Sequence, residues 1–310
     1  MPTALIIGFQ YATYTKPLIS ALIDIYHAYT WCQTFHCDIH LLTDIISIDT
    51  DHLKSAVEEG MASPGLMTFY SVVKKTLIHT ASDLTTELQR VLSTIHDEKL
   101  IIYYSGHGLN ESMLLPDNTT MSFIDIRHTV FRAIAPAVKV LWILDCCNPN
   151  GLHLPFRLQK NKFVLSAAKI SPVKNQLLLI TSCEEKEKSA ATAYGSVFSR
   201  SLFQILTKMN ELNSTTANRN LRRLMGNISS EIRALHTGYV QTVSIYSSYI
   251  IDPVLWLWVG NARHSDLDLD STMSTIVVQS NKSFSRPSGA SWRTFILTDS
   301  GQYRPLQSCD

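Results

Sequence analysis

Two apolar runs of strand length stop abruptly at reactive side chains. They are KLIIYYSGHG, from Lys99 to Gly108, and VKVLWILDCC, from Val138 to Cys147. Runs without polar alternation read as strands buried on both faces, the pattern of a parallel sheet covered by helices. Parallel strands of one sheet end at the same edge, and open α/β sheets place their sites outside those carboxyl ends. Two such strands bring His107 and Cys147 to one edge, although 40 positions separate them in the chain. A thiol beside an imidazole is the minimum equipment of a cysteine nucleophile.

The rest of the chain alternates in the same way. Strands are expected at 3–9, 39–43, 99–104, 138–144 and 177–181, with a last one in Val254–Val259. Helices are expected at about 17–34, 122–134 and 196–210, with another near 217–236. DHLKSAVEEGM is helix-like and is broken at Pro64-Gly65. In SDLTTELQRVLSTI, Leu84, Leu88, Val91, Leu92 and Ile95 share one helical face, with Ser82 or Asp83 as the N-cap. Residues 148–175 read as a long loop with five basic residues (Arg157, Lys160, Lys162, Lys169, Lys174) and no acid, in which FRLQKNKFVL is the alternative of a surface hairpin. Beyond Gly260 the chain is rich in Ser, Thr, Asp and Asn; it reads as a mobile tail in which TFILT is a candidate strand. The pattern is one three-layer α/β domain, with a mostly parallel central sheet flanked by helices.

Bulk properties narrow the class. A hydrophobic share of 45% supports a buried core, and a net charge of +1 argues against nucleic-acid or acidic-membrane partners. No apolar run reaches transmembrane length, and MPTALIIGF lacks the basic start of a signal peptide. Six cysteines, two of them adjacent, do not form a disulfide scaffold; they suit a reducing, cytoplasmic setting. Cys32, His36, Cys37 and His40 do not have a zinc spacing, so no metal site is expected.

The two motifs and their order resemble the metacaspases, within the caspase-like cysteine peptidases. Tyr104-Ser105-Gly106-His107-Gly108 matches the family's segment around its catalytic histidine, and Asp145-Cys146-Cys147 its nucleophile segment. ALIIGFQY (Ala4 to Tyr11), LISALIDIYHA (Leu18 to Ala28) and IHLLTD (Ile39 to Asp44) resemble its first strand, first helix and second strand. Leu177 to Leu206 resembles the start of its small-subunit region. The likeness covers roughly residues 3–260 in the family's order. It implies a caspase-like fold: a peptidase domain over 1–260 (large-subunit-like 1–147, linker 148–175, small-subunit-like 176–260) and a tail over 261–310. Family members often cut themselves in the linker, which makes Lys160, Lys162 and Lys174 the candidate sites.

The resemblance implies a cysteine endopeptidase working by a Cys147–His107 dyad. Alternation sends Cys146 to the opposite face, toward the core. The backbone N–H groups of Gly108 and Cys147 are the implied oxyanion donors. Gly106 and Gly108 would allow a tight turn and close approach of a substrate backbone. Asp24, Ser105 and Asp145 match the family's pocket for a basic residue before the cleaved bond. Asp24 stands in an otherwise apolar stretch, where a charge needs a partner or a purpose. The expected partners are protein or peptide substrates with Arg or Lys at that position, met by a monomer.

Three departures matter. Asn148-Pro149-Asn150 replaces the family's usual His-Ser-Gly, and Ala21 stands where a Cys is usual. The acidic insert that helps bind calcium in many members is absent. Asp117 and Asp125 alone do not supply a six- to eight-oxygen site, so no cofactor is expected, with calcium the lesser alternative. The altered turn keeps a second reading open, a catalytically inactive caspase-like regulatory or binding module.

Overall fold

The computed structural model describes residues 1–11, 14, 17–46, 63–96, 99–149, 152–159, 162–166, 173–184, 187–192, 195–209 and 241–249, with a few helical positions elsewhere and three short strands after 275. A nine-stranded sheet forms its centre. The strands are β1 (Thr3–Gly8), β2 (Asp38–Thr43), β3 (Lys75–Leu77), β4 (Lys99–Ser105), β8 (Lys139–Asp145), β9 (Phe156–Gln159), β10 (Lys162–Leu165), β11 (Leu177–Thr181) and β14 (Ser244–Ser247), in the order β10-β9-β14-β11-β8-β4-β1-β2-β3. From β11 to β3 all neighbours are parallel; β14, β9 and β10 extend the sheet antiparallel. A three-stranded sheet of β5 (Gly108–Leu109), β6 (Ser112–Leu114) and β7 (Thr120–Ser122) follows β4, and β12 (Ala191–Thr192) pairs with β13 (Gly195–Ser196).

The central parallel strands β1, β4, β8 and β11 are buried on both faces, which is why they read as continuous apolar runs. One face carries Ile6, Ile101, Tyr103, Leu141, Ile143, Leu178 and Ile180. It is covered by α1 (Ser20–Gln33), α2 (Gly65–Val72) and α5 (Val197–Met209) through Leu22, Trp31, Phe69, Phe198 and Leu202. The other face carries Leu5, Ile7, Ile102, Tyr104, Val140 and Trp142, and is covered by α3 (Ala81–Leu92) and α4 (Phe123–Ala133) through Leu84, Leu88, Ile126 and Val130. These three layers are the architecture expected from the pattern.

The structure refines four local readings. Thr80, not Ser82 or Asp83, caps α3; its hydroxyl accepts the Asp83 N–H while the Asp83 carboxylate accepts the Thr80 N–H, a capping box. The break at Pro64-Gly65 is followed by a new helix, with Pro64 as the N-cap of α2 and Gly65 its first residue. Within 148–175 the hairpin alternative holds: β9 and β10 form an antiparallel hairpin on the sheet edge. Arg157 in β9 is tied there, ion-paired with Glu184, donating to Ser244 Oγ at 3.2 Å, and lying 5.9 Å from the centre of the Tyr246 ring. Finally, β14 lies in a segment read as having no strand. The helix near 217–236 and the strand in Val254–Val259 fall outside the described residues. In the tail, TFILT overlaps Arg293–Leu297, the middle strand of a small antiparallel sheet with Ile276–Val278 and Tyr303–Pro305. No helix among the described residues is long and apolar enough to cross a membrane.

Candidate active site

The register of β4 on β8 places Ser105 opposite Asp145. His107 and Cys147 each lie two residues further, on strand ends that leave the sheet side by side. The Gly106 N–H donates to the Asp145 carbonyl at 3.3 Å, which continues the pairing beyond the last strand residues. Cys147 is half-buried, whereas Cys146 is 1% exposed and belongs to the core on the α3/α4 face. Burial pushes the Cys146 thiol well up, with the neighbouring Cys183 adding to it. Burial lowers the pKa of His107, which keeps a neutral imidazole available as a base at neutral pH.

Both glycines around His107 are set by crowding, and neither adopts a left-handed φ. A Cβ on Gly108 would overlap the Cys147 carbonyl oxygen and lie 3.1 Å from Cys146 Sγ. A Cβ on Gly106 would lie 2.7 Å from Tyr11 Oη and closer still to Tyr104 Oη. The close approach they permit is thus between the protein's own strand ends. Gly108→Ala is expected to force the histidine and cysteine segments apart. The overpacking costs about 1–3 kcal/mol, and the site's activity should fall at least a hundredfold. A melting curve together with an activity assay checks both effects.

After Cys147 the chain turns at Asn148, whose φ of 50° lies in the left-handed region that asparagine tolerates better than most residues. The unusual Asn148-Pro149 pair is accommodated in this way. Arg127 of α4 then reaches the Leu152 carbonyl at 2.9 Å and tethers the segment that follows.

Behind the strand ends, on the α1/α5 face, lie two buried carboxyl groups. Asp24 is 1% exposed and Asp145 4%. Asp24 Oδ2 accepts from Ser105 Oγ at 3.0 Å and its Oδ1 accepts from the Ser196 N–H at 2.8 Å. Asp145 Oδ1 accepts from Ser189 Oγ at 2.8 Å and its Oδ2 from Ser199 Oγ at 2.6 Å. The Tyr103 and Ser199 hydroxyls are 2.6 Å apart. Gly195 closes the β12–β13 turn over this cluster with a φ of 104°, and a Cβ there would sit 3.1 Å from Asp24 Oδ1. Among the described residues neither acid has an ion-pair partner. Desolvation, reinforced by the charge of Asp145, raises Asp24 well above the ordinary carboxylate range. Desolvation also raises Asp145, with serine hydroxyls pulling it part of the way back. Such a pair is unfavourable in the empty protein and suited to an incoming cation.

The structure thus gathers His107, Gly108 and Cys147 at one edge and Asp24, Ser105 and Asp145 beside it. Ser189, Ser196 and Ser199 were not singled out from the sequence. Their signal is the density of serines in KSAATAYGSVFSRS. Of the basic linker residues, Lys162 opens β10 opposite Gln159, Lys174 is exposed before β11, and Lys160 lies outside the described residues. Asp117 and Asp125 serve their own turns: Asp117 accepts from Thr119, and Asp125 from the Ser122 hydroxyl at the start of α4. No group of three or more metal-ligating side chains occurs among the described residues.

A parallel α/β sheet that carries a cysteine and a histidine on adjacent strand ends is the framework of a caspase-like cysteine peptidase. The family model of the caspase domain (peptidase C14) matches residues 1–254, and the chain belongs to that family. Among solved structures it is similar to the crystal structure of protein GSU0716 from Geobacter sulfurreducens. That protein is 13% identical, with a TM-score of 0.51 over 82% of this chain and 96% of that one, which shows a shared fold. No curated protein matches the chain significantly.

Proposed function

We propose that the chain is a cysteine endopeptidase of metacaspase type that cuts protein or peptide substrates after Arg or Lys. Cys147 is the nucleophile and His107 its base. The imidazole takes the thiol proton, the thiolate attacks the scissile carbonyl, and the imidazolium returns the proton to the leaving amine. Water then hydrolyses the thioester by the same proton path. The backbone N–H groups of Gly108 and Cys147 face the developing oxyanion. The substrate's guanidinium or ammonium enters between Asp24 and Asp145.

The observation that carries this reading is the buried acid pair. Two desolvated carboxyl groups stand beside the strand ends, each oxygen already holding one hydrogen bond, with no cationic partner among the described residues. A guanidinium fits two carboxylates bidentately, whereas an acidic substrate residue would be repelled. Asn148 in its left-handed turn weakens the case for an inactive module, which rested on that segment. The test is a set of fluorogenic peptides ending in Arg, Lys or Asp. Release from Arg and Lys peptides only is expected; preference for Asp would overturn the pocket, and no release from any peptide would favour the binding module.

Self-processing in the linker is part of the same proposal. A peptidase takes its substrate in extended, unpaired form, so cutting after Lys162 requires the β9–β10 hairpin to open. Lys174 is exposed, although its carbonyl accepts from Tyr249 Oη at 3.1 Å. Cutting after Lys160 would also need β9, which supplies the four residues before it, to leave the hairpin, so Lys174 is the preferred position. Purified wild type should show fragments of roughly half the chain length by gel and mass spectrometry, while Cys147→Ala stays whole. An uncut wild type that still hydrolyses Arg peptides would reject self-processing alone.

A further inference from the structure

We propose that Tyr11 is the positioning residue of His107, holding both its ring and its backbone in place for the cysteine. The inference rests on the reading of His107 as the partner of Cys147.

The two rings stack with centroids 4.7 Å apart and an interplanar angle of 29°. The His107 N–H donates to Tyr11 Oη at 2.8 Å. Tyr11 Oη in turn donates to the Leu114 carbonyl at 3.0 Å, and the Leu114 N–H donates to the His107 carbonyl at 3.0 Å. Tyr104 Oη lies 3.1 Å from Tyr11 Oη and donates to the same His107 carbonyl at 2.8 Å. The ring of Tyr11 is thus a floor for the imidazole, and its hydroxyl is the hub that fixes the backbone carrying it.

Tyr11 is itself immobilised. It is fully buried, with Phe9 edge-on at 6.1 Å. Asp44, at the end of β2, accepts from the N–H groups of Gln10 and Tyr11 at 2.7 Å each. The Phe9 N–H donates to the Ser105 carbonyl at 3.1 Å, which ties this segment to the histidine strand. Gly106 is bare because the two tyrosine hydroxyls occupy the space a side chain would need.

Burial raises the Tyr11 phenol far above its ordinary value, so it stays neutral and does not compete for the proton in transit. Its contribution is geometric: catalytic groups must be held within fractions of an ångström, and a misplacement of about 1 Å costs about a hundredfold. The ring also excludes water from one face of the imidazole, in keeping with the desolvation that lowers the pKa of His107.

The experiment compares Tyr11→Phe, Tyr11→Leu and His107→Ala in the full chain. Arg-peptide kinetics are followed across pH, with kcat expressed per active site labelled by an alkylating reagent. Tyr11→Phe keeps the floor and loses the hub: kcat should fall about tenfold with KM unchanged and the acid limb of the profile in place. Tyr11→Leu loses both: kcat should fall about a hundredfold, KM should hold, and the acid limb should move up toward the ordinary imidazole value of about 6.5. A purely structural role would lower the melting temperature and the number of labelled sites, but not kcat per site or the limb. If Tyr11→Leu does not fold, the kcat per site of Tyr11→Phe decides. Wild-type kcat per site in Tyr11→Phe, with an unmoved limb in any folded Tyr11→Leu, would overturn the proposal while an inactive His107→Ala leaves the dyad standing. An active His107→Ala would overturn both.

Discussion

Cys147→Ala is expected to abolish peptide hydrolysis, at least ten-thousandfold, while Cys146→Ala keeps most of it. The adjacent thiols differ in environment rather than in chemistry. Cys146 faces the α3/α4 layer, where burial holds its thiol protonated and a Cβ on Gly108 would come within 3.1 Å of its sulfur. A buried thiol with a raised pKa is a poor nucleophile. Cys147 is half-buried at the strand end, where its sulfur is not locked in the core. Removing the Cys146 sulfur leaves a small cavity and costs about 1 kcal/mol, which should lower the melting temperature by a few degrees without touching kcat. Alkylation followed by peptide mass spectrometry should locate the label on Cys147. Equal loss of activity in the two variants, with both folded, would defeat the assignment.

Asp24→Asn should have opposite effects on activity and stability. Removing one of the two buried charges should lower kcat/KM for Arg peptides about 10²- to 10³-fold. The same change should stabilise the unliganded protein by about 1 kcal/mol, because an uncompensated buried carboxylate no longer has to be accommodated. The pH dependence follows from the raised pKa of Asp24. Between the ordinary carboxylate value of about 4 and its higher folded value, the folded chain holds a proton that the unfolded chain has released. This group's stabilising contribution is therefore complete below about pH 4 and is lost as pH rises through the folded value. Urea titrations across that range should show wild type losing stability with rising pH more steeply than Asp24→Asn. Binding of an Arg peptide to Cys147→Ala should draw the proton off and release it, which calorimetry in buffers of different ionisation enthalpy detects. A variant that keeps Arg cleavage, or one destabilised at neutral pH, would show that Asp24 is structural.

What was legible in the sequence follows from where the sheet is buried. The strands β1, β4, β8 and β11 are covered on both faces, so their residues form apolar runs with visible ends. By contrast, β3, β9, β10 and β14 are short or lie toward the sheet edges, with partly exposed residues. Their patterns do not separate from those of loops. Thr80 lies two and three residues before Ser82 and Asp83, which are equally good cap residues in isolation; only the observed backbone gives Thr80 the extended φ of −128° that a cap needs.

The sequence by itself determined that a histidine and a cysteine stand at the ends of two buried strands, and that an acid, Asp24, lies in an apolar helix with no local partner. These are local properties, written in apolar runs and their punctuation. Only the tertiary structure decided what meets them. Asp24 finds the Ser196 N–H across 172 positions, and the Tyr11 hydroxyl meets the His107 N–H across 96. Those contacts depend on strand register and on how α1 and α5 settle on the sheet. Register is a collective result of packing many side chains at once, and no stretch of the chain carries it alone.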